Sequence, residues 1–409
     1  MEQLTPIEAN RRIASLDILR GFALLGILMV NMIYFNTPIV YYYVIGEIPW
    51  ESPLDRWAYY GIQLLAEGKF YTMFSFLFGV GFVIFMERAQ EKHKKAGLLF
   101  ARRLFFLLLF GLIHAFFFWY GDILIMYALI GFLLLAFFNR KPKTMLVWAI
   151  TLLILSIVIM GLLFIASMAY ANMDMAEYNA QNQMFLAQMY EQIESSYFAY
   201  SEGSYADIMQ QRITDLSFVF TYAIFGVPMI LPMFLMGAYV GKRKIISNVS
   251  VNLGLIKKIW LWSLIFGLPM TIMKVYSQAQ ASFELITVYN FTNQVGMVIG
   301  DPALSIFYMT SILLLLQKET WQRLLRPFAS VGRMALSNYI LQTLICTTIF
   351  YSYGLGMYGN VGPAVGILIA IAIYITQVKL SVIWFNKYKY GPLEWIWRWL
   401  TYGNVIRQK

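Results

Sequence analysis

The sequence contains few charged residues. Only 13% of its 409 residues are Asp, Glu, Lys or Arg, about half of the roughly 25% that is usual in soluble domains. A water-facing surface for a chain of this length requires more ionic side chains than that. A soluble fold is therefore not expected.

Cysteine and histidine are also scarce. Cys346 is the one cysteine, which excludes an intramolecular disulfide and a cysteine-based metal site. The two histidines, His93 and His114, are too few for a typical histidine-rich metal centre. We therefore expect no bound metal.

Apolar residues, in contrast, are abundant. They make up 60% of the chain, and the mean hydropathy is +0.63. A bilayer-spanning helix needs about 20 apolar residues, and the first such run is too long for a signal peptide and lacks its cleavage site. The sequence predicts an all-α polytopic membrane protein with about ten transmembrane helices, at 16–35, 70–86, 99–118, 122–138, 145–170, 216–240, 257–275, 301–317, 329–351 and 362–386.

Basic residues indicate how these helices are oriented. Of the 31 lysines and arginines, 25 fall on one set of alternate inter-helix segments, which includes both termini. Short cytoplasmic segments retain Lys and Arg, so both termini are predicted to be cytoplasmic, in a bacterial cytoplasmic membrane. The net charge of +10 then reflects topology, and no nucleic-acid partner is expected; the lipid bilayer is the expected surrounding.

The spans divide the chain into three parts. Residues 1–170 form an N-terminal membrane half with five spans, and 216–409 form a C-terminal membrane half. Residues 171–215 are acidic and are predicted to be an extracytoplasmic helical segment. Asp301 and Pro302 resemble an N-cap and first turn, which would begin the eighth span there and leave 284–299 as an interfacial or re-entrant piece.

Polar residues follow one face of the first span. Asp17, Arg20 and Asn31 fall within one arc of the helix at about 100° per residue, and this arc is predicted to face the bundle interior. Asp17 and Arg20 are three residues apart and are able to pair. The pair either belongs to a substrate path that includes Asn31, or it is a structural ion pair at the membrane interface.

The third span carries a second polar set. His114 lies eleven residues beyond Arg103, on nearly the same helix face and about 16 Å further along. There it is either a general base or proton relay or a side chain that only hydrogen-bonds a neighbouring helix. Asp122 either caps the fourth span or orients His114. Arg333, at the start of the ninth span, either binds a phosphate or anchors the helix.

Several sequence blocks carry a family resemblance. The blocks RIASLDILRGFALLGILMVN from Arg12, AEGKFYTMFSFLFGVGF from Ala66 and GLIHAFFFWYGDIL from Gly111 resemble the bacterial YeiB family of membrane proteins. The C-terminal blocks GRMALSNYILQ from Gly332 and GPLEWIWRWLTYG from Gly391 are similar to that family's C-terminal domain of unknown function. The resemblance implies a multi-pass membrane protein and a role in transport.

A more distant resemblance implies chemistry. The SLDILRG start is similar to that of transmembrane acyltransferases, which move an acyl group from cytoplasmic acyl-CoA to an acceptor across the membrane. Arg20 matches an arginine of one such family, and Asn31 occupies the position of its histidine. The segment Phe100-Ala-Arg102-Arg103 loosely resembles that family's basic motif, which contacts CoA phosphates.

Two functions therefore fit the sequence. In an acyl-CoA-dependent acyltransferase, Arg102 and Arg103 bind the phosphates of acetyl-CoA or another acyl-CoA, with Arg20 and Arg333 nearby. His114 and Asp122 are then catalytic, and the acceptor is a small molecule, a glycan or a lipid. In a transporter, Asp17, His114 and Asp122 form a relay. A lipid-binding scaffold without catalysis is a third hypothesis. The sequence does not indicate an oligomeric state.

Overall fold

The computed structural model of the protein describes residues 13–41, 49–92, 95–170, 175–223, 227–281 and 287–403. Both chain ends predicted to be cytoplasmic, 1–12 and 404–409, lie outside these described residues, as does His93. The described residues form helices and no β-strand. The helices are α1 (Ala14–Asn36), α2 (Pro53–Leu65), α3 (Lys69–Lys92), α4 (Ala96–Phe117), α5 (Leu124–Leu135), α6 (Pro142–Tyr170), α7 (Met175–Ser201), α8 (Tyr205–Ala223), α9 (Val227–Lys242), α10 (Leu253–Gln280), α11 (Val288–Leu315), α12 (Glu319–Arg333), α13 (Ala335–Phe350), α14 (Pro363–Lys387) and α15 (Pro392–Tyr402).

The helices have the lengths and composition of membrane spans. Seven segments are long and apolar enough to cross a bilayer: α1, the segment from α2 to α3, α4, α6, α10, α11 and α14. Shorter apolar helices occur at α5, α9 and α13. Each of the ten predicted spans overlaps one of these helices, and the prediction of an all-α polytopic membrane protein is confirmed.

Apolar side chains cover the outside of the bundle. Along α6, large apolar residues such as Leu162 and Ile165 are more than half exposed. A soluble monomer rarely exposes a continuous apolar surface of this kind. In lipid such a surface is stable, because the hydrocarbon is as apolar as the side chains.

Helix α1 lies inside the bundle and packs against α3, α12, α13 and α14. Its contact with α12 is close, since a Cβ atom at Gly332 would overlap the carbonyl oxygen of Asp17, and one at Gly21 would overlap that of Phe328. Small residues allow helices in membranes to approach in this way. The contact brings Arg333, at the end of α12, to the same end of the bundle as Asp17 and Arg20.

Two predicted boundaries are wrong. The eighth span does not begin at Asp301, because α11 begins at Val288 and contains Pro302 in its interior. A capping box of Thr287 and Asn290 supplies the first turn with hydrogen bonds, and a proline is tolerated inside a membrane helix. The ninth predicted span is not one continuous helix, because the helix is interrupted at Met334, between α12 and α13.

Helices α7 and α8 form a helical hairpin that includes most of the acidic segment 171–215. The two helices are joined by a hydrogen bond of 2.6 Å from the Tyr200 hydroxyl to Asp215 Oδ2, and by one of 2.9 Å from Gln211 Nε2 to Ser196 Oγ. Burial raises the pKa of the Asp215 carboxyl to about 6, although the hydrogen bonds from Tyr200 and Gln211 and the charge of Arg212 act in the opposite direction.

A buried cluster of charges joins three helices. The Asp301 carboxylate of α11 forms one ion pair with Lys69 Nζ, at 2.9 Å, and another with Lys274 Nζ, at 2.8 Å. All three side chains are at least 95% buried. Gly68 precedes α3 with a φ of +85°, and a Cβ atom there would overlap the Asp301 carboxylate. Glycine therefore provides both the backbone conformation and the space that the carboxylate needs.

Replacing Asp301 is expected to destabilise the protein strongly. The change Asp301→Asn leaves two buried lysines without their counter-charge, and such a loss costs about 3–5 kcal/mol. Thermal unfolding of the purified protein in detergent should show a large drop in Tm. Glu319→Gln is the matched control, because it breaks an exposed pair with Arg323 and exposed pairs contribute little. Equal effects of the two changes would contradict this assignment.

The raised pKa of Asp215 is expected to make stability depend on pH. The folded state binds this proton more tightly than the unfolded chain, so the stabilisation is fully present below pH 3.8 and is lost as pH rises through about 6. A shift of this size corresponds to about 3 kcal/mol. We expect the Tm of Asp215→Asn to rise relative to that of the wild type across this interval.

Glu191→Gln, on an exposed position of α7, serves as the control for the Asp215 measurement. Its Tm should follow the wild-type pH profile. Parallel profiles for the wild type and Asp215→Asn would show that Asp215 titrates normally.

Candidate functional site

A cavity lies between α1, α3, α4, α5, α12, α13 and α15. Its volume is about 290 Å³, near the lower limit of about 300 Å³ for small-molecule sites. Its charged lining residues are Asp17, Arg20, Arg88, Arg103, Arg333, Glu394 and Arg398. Five arginines against two acids make the lining net positive.

Aromatic side chains hold several of these arginines in place. The Arg103 guanidinium lies 3.7 Å from the centre of the Trp397 ring, and the Trp397 indole donates a hydrogen bond to the Arg103 carbonyl. The Arg333 guanidinium lies 3.7 Å from the centre of the Phe385 ring. Stacking of this kind restrains an arginine without neutralising its charge. Each of these two guanidinium groups is therefore held in a defined position beside the cavity.

Each of the two acids in the lining has a defined partner. Asp17 Oδ1 accepts a hydrogen bond of 3.0 Å from Arg20 Nη1, as the sequence predicts. Glu394 accepts hydrogen bonds from the backbone N–H groups of Leu336 and Ser337, at the start of α13, and from the Ser337 hydroxyl. Burial raises the pKa of the Glu394 carboxyl. Glu394 thus attaches α15 to the first turn of α13 and acts as its cap.

Apolar side chains and Tyr339 also line the cavity. Leucine, isoleucine and phenylalanine side chains line it, among them Leu24, Phe78 and Leu107. The Tyr339 hydroxyl donates a hydrogen bond of 3.1 Å to the Gly121 carbonyl. The His114 ring lies 5.1 Å from the Tyr339 ring, centre to centre. His114 is therefore adjacent to a side chain of the cavity lining.

His114 forms a chain of hydrogen bonds with two other side chains. Its Nδ1 lies 2.8 Å from Asp122 Oδ2, and its Nε2 lies 2.9 Å from the Thr343 hydroxyl. The side chains of His114 and Asp122 are each only 1% exposed. Asp122 Oδ1 also accepts the N–H of Ile125 at 2.7 Å, in the first turn of α5. Asp122 thus contacts both the first turn of α5 and His114.

The structure brings most of the predicted site residues together. Asp17, Arg20, Arg103 and Arg333 line the cavity, and His114, paired with Asp122, lies next to Tyr339 of the lining. Arg102 is exposed and lies outside the lining, with its guanidinium 5.8 Å from the centre of the Phe106 ring. Asn31 is partly buried in α1 and is also outside the lining.

Other residues of the site were missed by sequence reasoning. Thr343 and Tyr339 have no local signal, because they reach His114 only when α13 packs beside α4. Arg88 and Arg398 were counted as markers of topology. The sequence predicts a helix cap at Asp301, whereas the structure places Asp301 in one buried cluster with Lys69 and Lys274. Charged residues next to apolar runs were the available signal for that cluster.

Comparisons with known proteins indicate the family of the chain. Residues 240–404 match the family described as "Protein of unknown function (DUF418)". The chain is 36% identical over 420 residues to uncharacterized protein YxaH of Bacillus subtilis (strain 168), with 98% of this chain and 97% of YxaH covered. It is 27% identical over 406 residues to uncharacterized protein YeiB of Escherichia coli (strain K12), with 95% and 96% covered. No solved structure matches at a significant level. The chain therefore belongs to the YeiB family.

Proposed function

We propose that this protein is a transmembrane acyltransferase that moves an acyl group from cytoplasmic acyl-CoA to an acceptor on the other side of the membrane. One observation carries the proposal. A cavity lined by arginines and apolar side chains includes Tyr339 in its lining, and the Tyr339 ring lies next to His114, which is hydrogen-bonded to Asp122 and Thr343.

The charge of the cavity favours an anionic ligand. Five arginines line it, and its two acids are engaged with Arg20 and with the start of α13. Arginine pairs well with phosphate because its rigid, planar group presents several N–H donors. Arg20, Arg88, Arg103, Arg333 and Arg398 are therefore the proposed phosphate contacts.

The shape of the cavity favours a ligand with an apolar arm. A volume of about 290 Å³ does not enclose a whole acyl-CoA, so the nucleotide part would lie at the mouth and the acyl-bearing arm would contact the apolar lining. Arg102, exposed beside the cavity, is then a contact only for phosphates that extend beyond the rim. This arrangement supports acyl-CoA as the donor substrate.

His114 has the surroundings of a general base. A hydrogen bond from Nδ1 to the Asp122 carboxylate fixes the tautomer in which Nε2 accepts a proton. Nε2 then takes the proton of an acceptor hydroxyl or amine, directly or through the Thr343 hydroxyl. The acceptor forms a bond to the thioester carbonyl carbon, the carbon–sulfur bond breaks, and the thiolate that leaves receives the proton.

Access to His114 requires a movement in the site. The imidazole is buried, and Tyr339 of the cavity lining lies beside it. Rotation of the Tyr339 side chain would break its hydrogen bond to Gly121 and open the path. A closed resting site of this kind protects a thioester from water.

The orientation of the reaction rests on the predicted topology. The cavity mouth includes Arg88, Arg103, Arg333 and Arg398, which belong to segments assigned to the cytoplasm by the charge count. The α7–α8 hairpin belongs to the segment assigned to the outside. In a bacterial cytoplasmic membrane, the donor would then enter from the cytoplasm and the acceptor from the opposite face.

Transport is the second candidate, and a different observation favours it. Asp301 with Lys69 and Lys274 is a buried charged cluster inside the bundle, and ionisable groups in such positions often mark an ion or substrate path. Proton-driven uptake into proteoliposomes without consumption of acyl-CoA would favour transport over acyl transfer.

Neutralising arginines of the cavity is expected to weaken CoA binding. We expect Arg88→Gln and Arg398→Gln each to lower acetyl-CoA affinity by about tenfold, because each removes a charge-assisted hydrogen bond. Isothermal titration calorimetry with the protein in nanodiscs measures this. Arg323→Gln, an exposed arginine of α12 outside the cavity lining, should bind as the wild type does. Absence of acetyl-CoA binding by the wild type would refute the proposal.

Replacing His114 is expected to separate binding from chemistry. Gln at position 114 is able to hydrogen-bond Asp122 but does not accept a proton, so we expect acyl transfer to slow by about 100- to 10,000-fold. The assay follows label from radioactive acetyl-CoA into the lipid and envelope fractions of inverted membrane vesicles. Acetyl-CoA affinity should be retained.

The control for the His114 variant is His93→Gln, which changes the other histidine. It should leave transfer and binding at wild-type levels. Undiminished transfer in His114→Gln would remove the histidine from the mechanism.

A further inference from the structure

We propose that the α7–α8 hairpin covers a second binding site, in which the guanidinium of Arg212 takes an oxyanion: a carboxylate or a phosphate group. This site is separate from the arginine-lined cavity, and it does not depend on acyl transfer. The proposal starts from the surroundings of Arg212.

Arg212 of α8 is a fully buried charge with incomplete hydrogen bonding. The side chain is 0% exposed. Its Nη1 donates to the Phe116 carbonyl at 3.1 Å and lies 3.2 Å from the Met209 sulfur. Its Nε and Nη2 have no hydrogen-bond partner among the described residues. Buried polar groups are nearly always hydrogen-bonded, so two unpartnered donors on one buried cation indicate a missing partner.

The unpartnered atoms form one edge of the guanidinium. The N–H groups of Nε and Nη2 point in parallel, and this is an edge that binds two oxygens of a carboxylate or phosphate. Asp215 lies one turn away on α8, but its oxygens accept hydrogen bonds from Tyr200 at 2.6 Å and Gln211 at 3.0 Å. Among the described residues, no carboxylate forms an ion pair with Arg212.

Other buried polar groups without partners lie in the same region. They are the indole Nε1 of Trp119 and the hydroxyls of Tyr351 and Tyr358, none of which has a hydrogen-bond partner among the described residues. The Tyr200 ring, which contacts Asp215 through its hydroxyl, lies 4.5 Å from the Tyr351 ring and 5.0 Å from the Tyr358 ring, centre to centre. Arg212 also interacts electrostatically with Tyr351.

The chemistry of these groups defines the ligand. Arg212 and Trp119 are donors only, and the tyrosine hydroxyls are able to donate. A ligand that satisfies them must offer several acceptor oxygens, and the buried positive charge requires a negative one. Aromatic walls also suit the ring of a sugar that carries the anion.

The position of the site relates it to His114. Phe116, whose carbonyl binds Arg212, follows His114 by two residues in α4, and the Trp119 ring lies 6.4 Å from the imidazole, centre to centre. Tyr339, whose ring lies next to the imidazole, lines the arginine cavity. The oxyanion site and the cavity thus both lie close to the same histidine.

The ligand could be a free anion or the headgroup of a lipid, and two preparations of the full-length protein distinguish them. In detergent micelles without phospholipid, thermal unfolding is measured while inorganic phosphate is titrated. In nanodiscs of phosphatidylcholine, with and without phosphatidylglycerol, lipid retained after extraction is measured by native mass spectrometry.

We expect phosphate, phosphatidylglycerol or both to bind the wild type, and Arg212→Gln to weaken that binding at least about tenfold. Arg56→Gln, an exposed arginine on a segment assigned to the same side, should not change it. Arg398→Gln alters the arginine cavity and should also leave it intact, which separates this site from the proposed CoA site.

A second variant tests the proposal if Arg212→Gln does not fold. Tyr351→Phe combined with Tyr358→Phe removes two hydroxyls and keeps both rings, so it should also weaken binding. Binding of phosphate in micelles that depends on Arg212 supports a free oxyanion, and dependence confined to nanodiscs supports a lipid headgroup. If neither preparation shows binding that depends on Arg212 or on the two hydroxyls, ordered water satisfies the donors and the proposal is overturned.

Discussion

The cost of burying charge in an apolar surrounding governs this structure. A charged group within a helix bundle has to be paired and hydrogen-bonded, since an unpaired one costs several kcal/mol. Asp301 shows the consequence most clearly, because one carboxylate binds lysines from two other helices and so fixes α3, α10 and α11 relative to one another. Gly68, whose missing Cβ leaves space for that carboxylate, belongs to the same constraint.

The same constraint identifies the functional regions. Where a buried charge is paired, as Asp301 is with Lys69 and Lys274, the group holds helices in place. Where charges of one sign outnumber the other, as in the arginine-lined cavity, the excess positive charge supports the proposed anionic ligand. Arg212 is the extreme case, because its charge is buried and one edge of its guanidinium has no partner among the described residues.

His114 lies close to both of these regions of positive charge. Its two ring nitrogens are engaged by Asp122 and Thr343, and it lies in the last turn of α4, about 27 Å from the first residue of that helix. The rings of Tyr339, which lines the cavity, and of Trp119 lie 5.1 Å and 6.4 Å from the His114 ring, centre to centre. An acyl donor and an anionic acceptor that approached from opposite faces would meet at this imidazole.

Much of the helix arrangement could be predicted from local sequence. An apolar run of about 20 residues has one stable form in a bilayer, since every backbone group must be hydrogen-bonded within the chain. The ten predicted spans overlap the apolar helices for this reason. The start of α11 could not be predicted, because an Asp-Pro pair in the sequence is typical of a helix N-terminus. Only the folded structure shows that Asp301 lies inside the helix and pairs with Lys69 and Lys274.

The sequence by itself determined the fold class, the approximate spans, and the residue types able to carry chemistry: Asp17, Arg20, Arg103, His114, Asp122 and Arg333. Tertiary structure alone decided which of these residues meet. It brought Thr343 to His114 across 229 positions of sequence, excluded Arg102 and Asn31 from the cavity lining, and left Arg212 with an unpaired edge. Composition and periodicity depend on nearby residues, whereas ion pairs and cavities depend on packing between helices that are distant along the chain.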